Sequence, residues 1–409
     1  MTASTTTTDY AHHRTAIIQR LRQRMESEQL DALIAFSAEN SYYLSGHGSF
    51  FSYTLPTPGS TAAILLREDR TRPVLIAAEI EAAGVDLDIV DTYTYPIWMS
   101  IDDPFGVSPF EPITTRSNSL PFESIIGRIQ EVLTAAGSIA RVGVEHGQLH
   151  SQAWSHLTDA LSHPEIVDAR PLLNESRAIK TGWEVNQLET AAAATEQAIT
   201  NTVACIEPGM TRHQIRKRFD LEIIEHPATD GIRLDMISVG PQFAPSMFGP
   251  GGTVETSALV KFDVGAMVNG YGADMARTFS FGDPTPRAAE RWQALSAGHE
   301  FLRSEIGPGV IMSDLFHATM ATVERHGLTG YTRGHFGHSV GLGRTVEEPP
   351  HLGPGELRPF EPGMVICIET PYYAYGVGSL QLEDMVAIEE GGARNLCSLP
   401  RTLARLPLS

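Results

Sequence analysis

The sequence predicts two domains, an α/β region followed by a larger α+β domain. Short apolar runs at 31–36, 62–66, 74–79 and 141–146, each bounded by turn residues, alternate with helical stretches in the first part, which is typical of α/β structure. In the second part an Asn-Gly turn joins two strand-like stretches and Gly-rich loops follow, which indicates antiparallel hairpins. At roughly 150 residues per domain, a chain of 409 residues accommodates two or three domains.

The N-terminal domain is predicted to span residues 14–172, after a polar, disordered tail at 1–13. Apolar residues at near-helical spacing predict an amphipathic helix over 14–35. The stretch 95–125 is rich in Pro, Ser and Thr, which predicts a long surface loop. The tail lacks the apolar segment of a signal peptide, and no run of apolar residues is long enough to predict a membrane helix.

The C-terminal domain, residues 173–409, is predicted to begin with two consecutive helices. The Ala-rich stretch 185–206 has one apolar side, as a helix packed on a core does. Thr211 and Gln214 then match a capping box, in which each side chain bonds the backbone N–H of the other residue. The Asn-Gly pair at 269–270 is a strong signal for a tight hairpin turn between two strands.

The charge and the cysteines exclude several classes of protein. There are 30 basic and 49 acidic residues, which leaves a formal net charge of −19 and disfavours binding to nucleic acids or to anionic membranes. The three cysteines are far apart and form no CxxC pair and no even disulfide framework, which predicts a cytoplasmic protein. Part of the acidic excess is available to bind cations.

Two aspartates on either side of the predicted turn are candidate metal ligands. Asp263 lies in the strand LVKFDVGA, and Asp274 lies in the return segment GADMARTFSF. Because the midpoint between them falls beside the Asn-Gly turn, we expect the two carboxylates to lie roughly opposite one another. Like charges so close together need a cation between them. A solvated edge residue or a turn cap is the ordinary alternative for either aspartate.

Three further segments offer side chains suited to a metal. His335 and His338 lie in the Gly-rich turn RGHFGHSVGLG, which presents an imidazole well, although a capping histidine in a loop is the alternative. Glu369 ends the apolar strand MVICIETPYY, and Glu383 lies within LQLEDMVAI. A carboxylate among such apolar residues must be paired or bound to a metal. The ordered set of two aspartates, a histidine and two glutamates predicts an oxygen-rich site for two divalent ions.

Several segments are similar to those of one enzyme family: NSYYLSG at 40–46, RAIKTGWEVNQLETAA, EPGMT and the metal-type segments above. The chain resembles the pita-bread metallohydrolases, which include methionine aminopeptidase, aminopeptidase P, prolidase and the metal-free creatinase. The resemblance implies an α+β fold, in which helices flank an antiparallel sheet, after a smaller α/β domain of creatinase type. It also implies a homodimer whose N-terminal domains cover the active sites, with 45–58 and Trp98 as candidate substrate-facing segments.

The resemblance further implies a dinuclear metal centre and an amide hydrolase of the Xaa-Pro aminopeptidase or Xaa-Pro dipeptidase type. The five implied ligands are Asp263, Asp274, His338, Glu369 and Glu383. Asp274 and Glu383 would bridge two divalent ions, with manganese as the first choice and cobalt, zinc or iron as alternatives. A hydroxide between the ions would attack the scissile carbonyl of a small peptide or amide. Glu369 would carry the proton to the leaving nitrogen, and His335 would support the intermediate.

Three positions depart from the peptidase pattern and bear on substrate binding. The segment VGPQFAPSMFGP has Ser246 or Met247 where the family often has a histidine. In GLGRTVEEPPHL, Glu347 or Thr345 stands near the place of another histidine, with His351 shortly after it. Gln381 stands where the family often has an arginine. Glu347, His351 and Tyr373 are therefore the candidates for binding the substrate.

Two other functions stay open at this stage. A creatinase-like hydrolase would break a C–N bond of a small guanidino or amide compound without metal, and the length and the GHSVG turn fit it. Asp263 and Asp274 disfavour it, since the metal-free relatives tend to lose such ligands. A catalytically silent binding protein is the other alternative, although such a module has no physical need for closely spaced carboxylates. Metal content and sensitivity to a chelator would separate the three.

Overall fold

The chain divides into two compact units, Met1–Ser176 and Arg177–Ser409. The division falls inside the helix Arg170–Ala178, which also contains the predicted domain boundary at residue 172. In the part of the chain that the structure describes, no helix is both long enough and apolar enough to cross a membrane. The computed structural model describes residues 3–54, 59–68, 72–99, 101–110, 113, 115–118, 122–242, 249 and 251–406.

Helices and short strands alternate along the first unit. Its helices are α1 (Ala3–Ser27), α2 (Ala38–Ser45), α3 (Phe50–Thr54), α4 (Phe122–Ala135), α5 (Ser151–Ala160) and α6 (Arg170–Ala178). Its strands are β1 (Ala32–Ala35), β2 (Ala62–Leu66), β3 (Val74–Ala78), β4 (Asp91–Tyr95), β5 (Arg141–Val144) and β6 (Glu165–Asp168). They form one mixed sheet in the order β4-β3-β2-β1-β5-β6, which confirms the predicted α/β character.

The sequence predicts the inner strands of this sheet better than its edges. The four apolar runs correspond to β1, β2, β3 and β5, whose residues are almost all buried. The edge strands β4 and β6 were not predicted, because several of their residues face solvent and their sequences DTYTY and EIVD form no apolar run. A strand with one free edge needs less apolar sequence than a strand with neighbours on both sides.

The first helix begins earlier than the sequence predicts. It starts at Ala3, so it includes most of the segment 1–13 that was expected to be a disordered tail. His13 and Arg14 are both buried, and Arg14 donates a hydrogen bond to the carbonyl of Tyr43 at 2.7 Å. Polar side chains that are buried through hydrogen bonds leave no apolar periodicity in the sequence, so the sequence did not predict a helix before residue 14.

The second unit is built on a larger sheet with helices packed against it. Its helices are α7 (Gly182–Val203), α8 (Arg212–Glu225), α9 (Pro286–Glu305) and α10 (Met312–Arg325). Its strands are β7 (Gly231–Val239), β8 (Leu259–Val268), β9 (Tyr271–Gly272), β10 (Met275–Phe281), β11 (Gly337–Ser339), β12 (Glu348–His351), β13 (Val365–Glu369), β14 (Tyr372–Ala374), β15 (Gly378–Leu380), β16 (Glu383–Glu389), β17 (Gly392–Asn395) and β18 (Ala404–Leu406).

The large sheet has the strand order β12-β11-β13-β16-β10-β8-β7, and neighbours along this path are antiparallel. Helix α7 packs against α8 and β8, and α9 packs against α10 and β13. A core of buried apolar side chains, among them Leu295, Phe316 and Ile366, lies between these helices and the sheet. The predicted antiparallel sheet flanked by helices is confirmed.

The local signals of the second unit are confirmed as well. Thr211 and Gln214 form a complete capping box at the start of α8. Asn269 and Gly270 have φ angles of 50° and 78°, as the tight turn between two strands requires. This turn returns the chain from β8 into β9 and β10, and it thereby fixes the register of the strands that carry the predicted ligands.

A buried histidine links the stability of the second unit to pH. His299 on α9 is fully buried, and neither ring nitrogen has a hydrogen-bond partner among the described residues. Burial lowers the pKa of His299 from 6.5 to about 3, although the nearby carboxylate of Asp384 opposes the shift. Below pH 6.5 the unfolded chain takes up a proton that the folded chain refuses, so the folded state loses stability as the pH falls.

We expect His299→Leu to weaken the acid destabilisation of the protein. Between pH 6.5 and about 3, this histidine removes up to about 1.4 kcal/mol of unfolding free energy per pH unit, and leucine has no proton to take up. Urea unfolding of the two proteins across this pH range measures the difference in slope. His317→Leu, at an exposed position of α10, is the matched control, and equal slopes for all three proteins would contradict the assignment.

Candidate functional site

The two predicted aspartates lie on one face of the β8–β10 hairpin. Asp263 pairs with Ala276, and Val264 pairs with Met275. Asp274 comes two residues before Ala276, so the carboxylates are diagonal neighbours on the same face and not directly opposite. Both side chains are buried, with Asp274 only 1% exposed. The expected proximity of the two carboxylates is therefore present, with a register offset of two residues.

The two glutamates extend this row of side chains across the sheet. Glu369 at the end of β13 lies directly opposite Glu383 at the start of β16. Glu383 in turn lies opposite Ala276 of β10. Antiparallel pairing therefore brings three carboxylates, at 263, 369 and 383, into one row across four strands, although Asp263 lies more than 100 residues before the two glutamates in the chain. Both glutamates are buried.

The histidine and a cysteine lie in the neighbouring row. His338 of β11 pairs with Cys367 of β13, which precedes Glu369 by two residues and therefore lies on the same face. The Nδ1 atom of His338 is 3.0 Å from the carbonyl of Ser339, so Nδ1–H donates to that carbonyl and Nε2 is left as an acceptor. This Nε2 lies 3.8 Å from Glu383 Oε1 and 4.0 Å from Asp274 Oδ2.

Four buried side chains place their donor atoms close enough to share one cation. Among the described residues, Asp274, His338, Cys367 and Glu383 have ligand atoms within 4.8 Å of one another. Asp274 Oδ1 is buried without a hydrogen-bond partner. Burial, together with the neighbouring carboxylates, raises the pKa of Asp274 and of Glu383 well above the usual range. An unpaired buried oxygen and two destabilised carboxylates fit a divalent cation at this point.

Cys367 was not predicted to belong to this site. The sequence analysis considered it only as one of three cysteines without a disulfide, and all three are free in the structure. Its thiol donates to the backbone carbonyl of Asp274 at 3.6 Å. The alternation of side chains along the strand VICIE was a usable signal, since residues two apart point to the same face.

Asp263 and Glu369 are held by cations of the protein itself. Lys261 Nζ lies 2.8 Å from Asp263 Oδ2, and both side chains are buried. Arg333 donates to Glu369 Oε1 at 2.6 Å, and Gln381 donates to Glu369 Oε2 at 3.2 Å. Burial raises the pKa of Glu369 to about 7, against the opposing charge of Arg333. Gln381 was predicted as a departure from the family pattern, whereas Lys261 and Arg333 were not predicted to belong to the site.

His335, Glu347 and His351 form a half-exposed polar group beside Glu369. The ring of His335 lies 3.4 Å from Glu369 Oε1 and 3.5 Å from Glu347 Oε2. His351 Nε2 lies 3.8 Å from the same oxygen of Glu347, and its ring packs edge-on against that of His335 at 5.7 Å. The predicted catalytic histidine and two predicted substrate-binding residues are therefore neighbours. Thr345, the other candidate near Glu347, uses its backbone carbonyl to accept a hydrogen bond from Arg233.

Tyr373, the third predicted substrate-binding residue, lies on the opposite side of Glu369. Its hydroxyl donates to Gln381 Oε1 at 3.1 Å, and Lys261 Nζ lies 5.4 Å from its ring centroid. The residue is 42% exposed. Ser246 and Met247, the other positions that the sequence analysis singled out, lie outside the described residues.

The predicted substrate-facing aromatics belong to the first unit. Trp98 is 47% exposed and packs edge-on against Phe51 with ring centroids 6.2 Å apart. Residues 55–58 of the segment 45–58 lie outside the described residues.

Comparisons with known proteins agree with this geometry. A model of metallopeptidase family M24 matches residues 186–390, and a model of the creatinase/prolidase N-terminal domain matches residues 17–179. An uncharacterized peptidase, YqhT of Bacillus subtilis, is 27% identical over 65% of this chain and 75% of its own length.

Solved structures are similar to the chain over most of its length. An Xaa-Pro dipeptidase from Bacillus anthracis has a TM-score of 0.77 at 19% identity, over 96% of this chain and 100% of that chain. A prolidase from Pyrococcus horikoshii has a TM-score of 0.75 at 19% identity, over 95% and 99% of the two chains. At this level of identity, the structural likeness shows the shared fold.

Proposed function

Because the chain belongs to metallopeptidase family M24, we propose that it is a metal-dependent peptidase that cleaves the bond before proline in dipeptides or short peptides. The observation that carries the proposal is the buried set of Asp274, His338, Cys367 and Glu383, with one carboxylate oxygen left unpaired. A divalent ion bound there supplies a water of lowered pKa and polarises the scissile carbonyl.

The proton transfer is assigned to Glu369 and its neighbour His335. Glu369 is buried, its carboxylate is oriented by Arg333 and Gln381, and His335 lies 3.4 Å away. We propose that Glu369 takes a proton from the attacking water and passes it to the leaving nitrogen, which is the work of a general acid–base group. His335 then donates a hydrogen bond to the oxygen of the tetrahedral intermediate.

The half-exposed groups beside Glu369 are assigned to the substrate. Glu347 has a side chain 49% exposed and offers a carboxylate for the terminal ammonium group of a peptide, with His351 next to it. Tyr373 offers an aromatic edge on the other side, suited to packing against a proline ring. Glu347 stands near the place of a histidine expected in the family and His351 follows it, so we propose that these two positions, with Tyr373, set the specificity.

Two further proposals concern the identity of the metal ion and the oligomeric state and location of the protein. Manganese is the proposed ion, because four of the five ligands that the resemblance implies are carboxylates and hard oxygen donors suit it. The thiol of Cys367 makes zinc, cobalt and iron competitors, since softer ions bind sulfur well. We further propose a homodimer, as the resemblance implies, and a cytoplasmic location, as the three widely spaced cysteines predict.

One experiment tests the proposed function directly. The protein is stripped with a chelator, reloaded separately with manganese, cobalt, zinc or iron, and assayed on Xaa-Pro dipeptides, Xaa-Pro-Yaa tripeptides, matched Xaa-Ala peptides and creatine. We expect no hydrolysis after stripping, recovery with at least one ion, and preference for the proline peptides. Activity that survives complete stripping, or turnover of creatine alone, would overturn the proposal in favour of a metal-independent C–N hydrolase.

A further inference from the structure

The ammonium group of Lys261 occupies the position beside Asp263 where a cation would bind. Its Nζ is 2.8 Å from Asp263 Oδ2 and 3.0 Å from Gln381 Oε1, and it lies over the ring of Tyr373. The buried ion pair between this ammonium group and Asp263 therefore already neutralises the aspartate.

The carboxylate of Glu369 also has hydrogen-bond donors within the protein on both of its oxygens. Its Oε1 accepts from Arg333 at 2.6 Å, and its Oε2 accepts from Gln381 at 3.2 Å. Each oxygen of this carboxylate thus has a protein donor, one of which carries a full positive charge. A metal ion at Glu369 would have to compete with a charge-assisted hydrogen bond in a buried setting.

The donor atoms that remain converge on a single point. Those of Asp274, His338, Cys367 and Glu383 lie within 4.8 Å of one another, and Asp274 Oδ1 is buried and unpartnered. Asp274, His338 and Glu383 supply three of these donors, which is the number of protein ligands around an ion that keeps one position open. Asp263 and Glu369 do not belong to this set, although both face the same side of the sheet.

The charges of the site indicate that it holds one divalent ion. Four buried carboxylates carry four negative charges, while Lys261 and Arg333 contribute two positive charges in direct contact with them. With the imidazole of His338 and the thiol of Cys367 counted as neutral, two negative charges are left, which one divalent ion balances. A second divalent ion would leave an excess of positive charge in a buried site, which is costly. The four carboxylates are those of Asp263, Asp274, Glu369 and Glu383.

We infer that each chain holds one divalent ion, between Asp274, His338 and Glu383 with Cys367 beside it, and that Lys261 takes the place of a second ion at Asp263. The inference rests on the proposed metal dependence and replaces the two-ion centre that the family resemblance implies. It assigns Lys261 the role of a permanent charge that positions Asp263. Glu369 is then free of metal and available for proton transfer.

Counting metal ions tests this inference without reference to activity. The full chain is stripped, saturated with cobalt(II), freed of excess ion and analysed for cobalt per chain. We expect one equivalent for the natural protein and for Lys261→Arg, which keeps the charge. Lys261→Met keeps a side chain of similar length but removes the ammonium group, so Asp263 becomes available and the count should rise towards two. Circular dichroism confirms that each variant is folded.

The outcomes separate this inference from the proposed function. Two equivalents in the natural protein, or one equivalent in a folded Lys261→Met, would overturn the inference and leave metal-dependent hydrolysis in place. No bound metal in the natural protein would overturn both. The count for the natural protein decides the number of ions by itself, so the inference is testable even if Lys261→Met does not fold.

Discussion

Asp274→Ala should lose metal binding and hydrolysis together, while the protein without metal keeps its stability. Asp274 contributes a buried oxygen that has no hydrogen-bond partner within the part of the chain that the structure describes, and its carboxylate is penalised by burial and by the neighbouring Asp263. Alanine removes that destabilised charge along with the ligand. Replacing groups that merely orient a ligand lowers metal affinity by about 10- to 100-fold, so we expect at least about 100-fold here.

The measurement is a metal titration followed by thermal unfolding with and without the ion. The natural protein should be stabilised by the ion, since a ligand that binds only the folded state raises its stability, whereas Asp274→Ala should show no shift. Asp283→Ala, at an exposed carboxylate just after β10, is the matched control and should behave as the natural protein does. An unchanged metal affinity in Asp274→Ala would remove this residue from the site.

Glu369→Gln should lower kcat by about 100- to 10,000-fold, the usual contribution of a general acid–base group. Glutamine has nearly the same shape, so its carbonyl oxygen can still accept from Arg333, but it has no carboxylate to receive a proton. The burial that raises the pKa of Glu369 to about 7 also suits this carboxyl to exchanging protons at neutral pH. Because the free donor set lies elsewhere, the variant should retain its ion and a KM close to that of the natural protein.

The measurement is steady-state kinetics on the preferred peptide, with metal content determined on the same sample. Together they separate a proton-transfer role of Glu369 from a role as a metal ligand. Loss of kcat with metal retained supports the proton-transfer role, and loss of both identifies Glu369 as a ligand instead. Glu361→Gln changes an exposed glutamate just before β13 and should leave kcat and metal content unchanged. Full activity in Glu369→Gln would show that another group moves the proton.

The sequence predicted those parts of the fold in which one local pattern suffices. Buried inner strands such as β1 and β2 have a continuous apolar run, and the turn at Asn269-Gly270 has a residue pair whose backbone preference is specific. The edge strands were missed because several of their residues face solvent and form no apolar run. The start of α1 was missed because the polar segment before residue 14 has no apolar periodicity.

Some residues of the candidate site could be predicted from the sequence, and others could not. Asp263, Asp274, His338, Glu369 and Glu383 were recognisable because each is a polar residue in an apolar or Gly-rich context. Cys367, Lys261 and Arg333 were not, since a cysteine or a strand lysine has many ordinary roles. Their importance depends on which side chain lies across the sheet from them.

By itself, the sequence determined which residue types are available: an acidic chain with carboxylates and a histidine in segments that must be buried. Local patterns determine this because burial and turn geometry depend on near neighbours. Only the tertiary structure decided which of these carboxylates pair with cations of the protein itself. Strand register places Lys261 against Asp263 and a distant loop places Arg333 against Glu369, and electrostatic pairing acts through space over a few ångströms, whatever the separation along the chain.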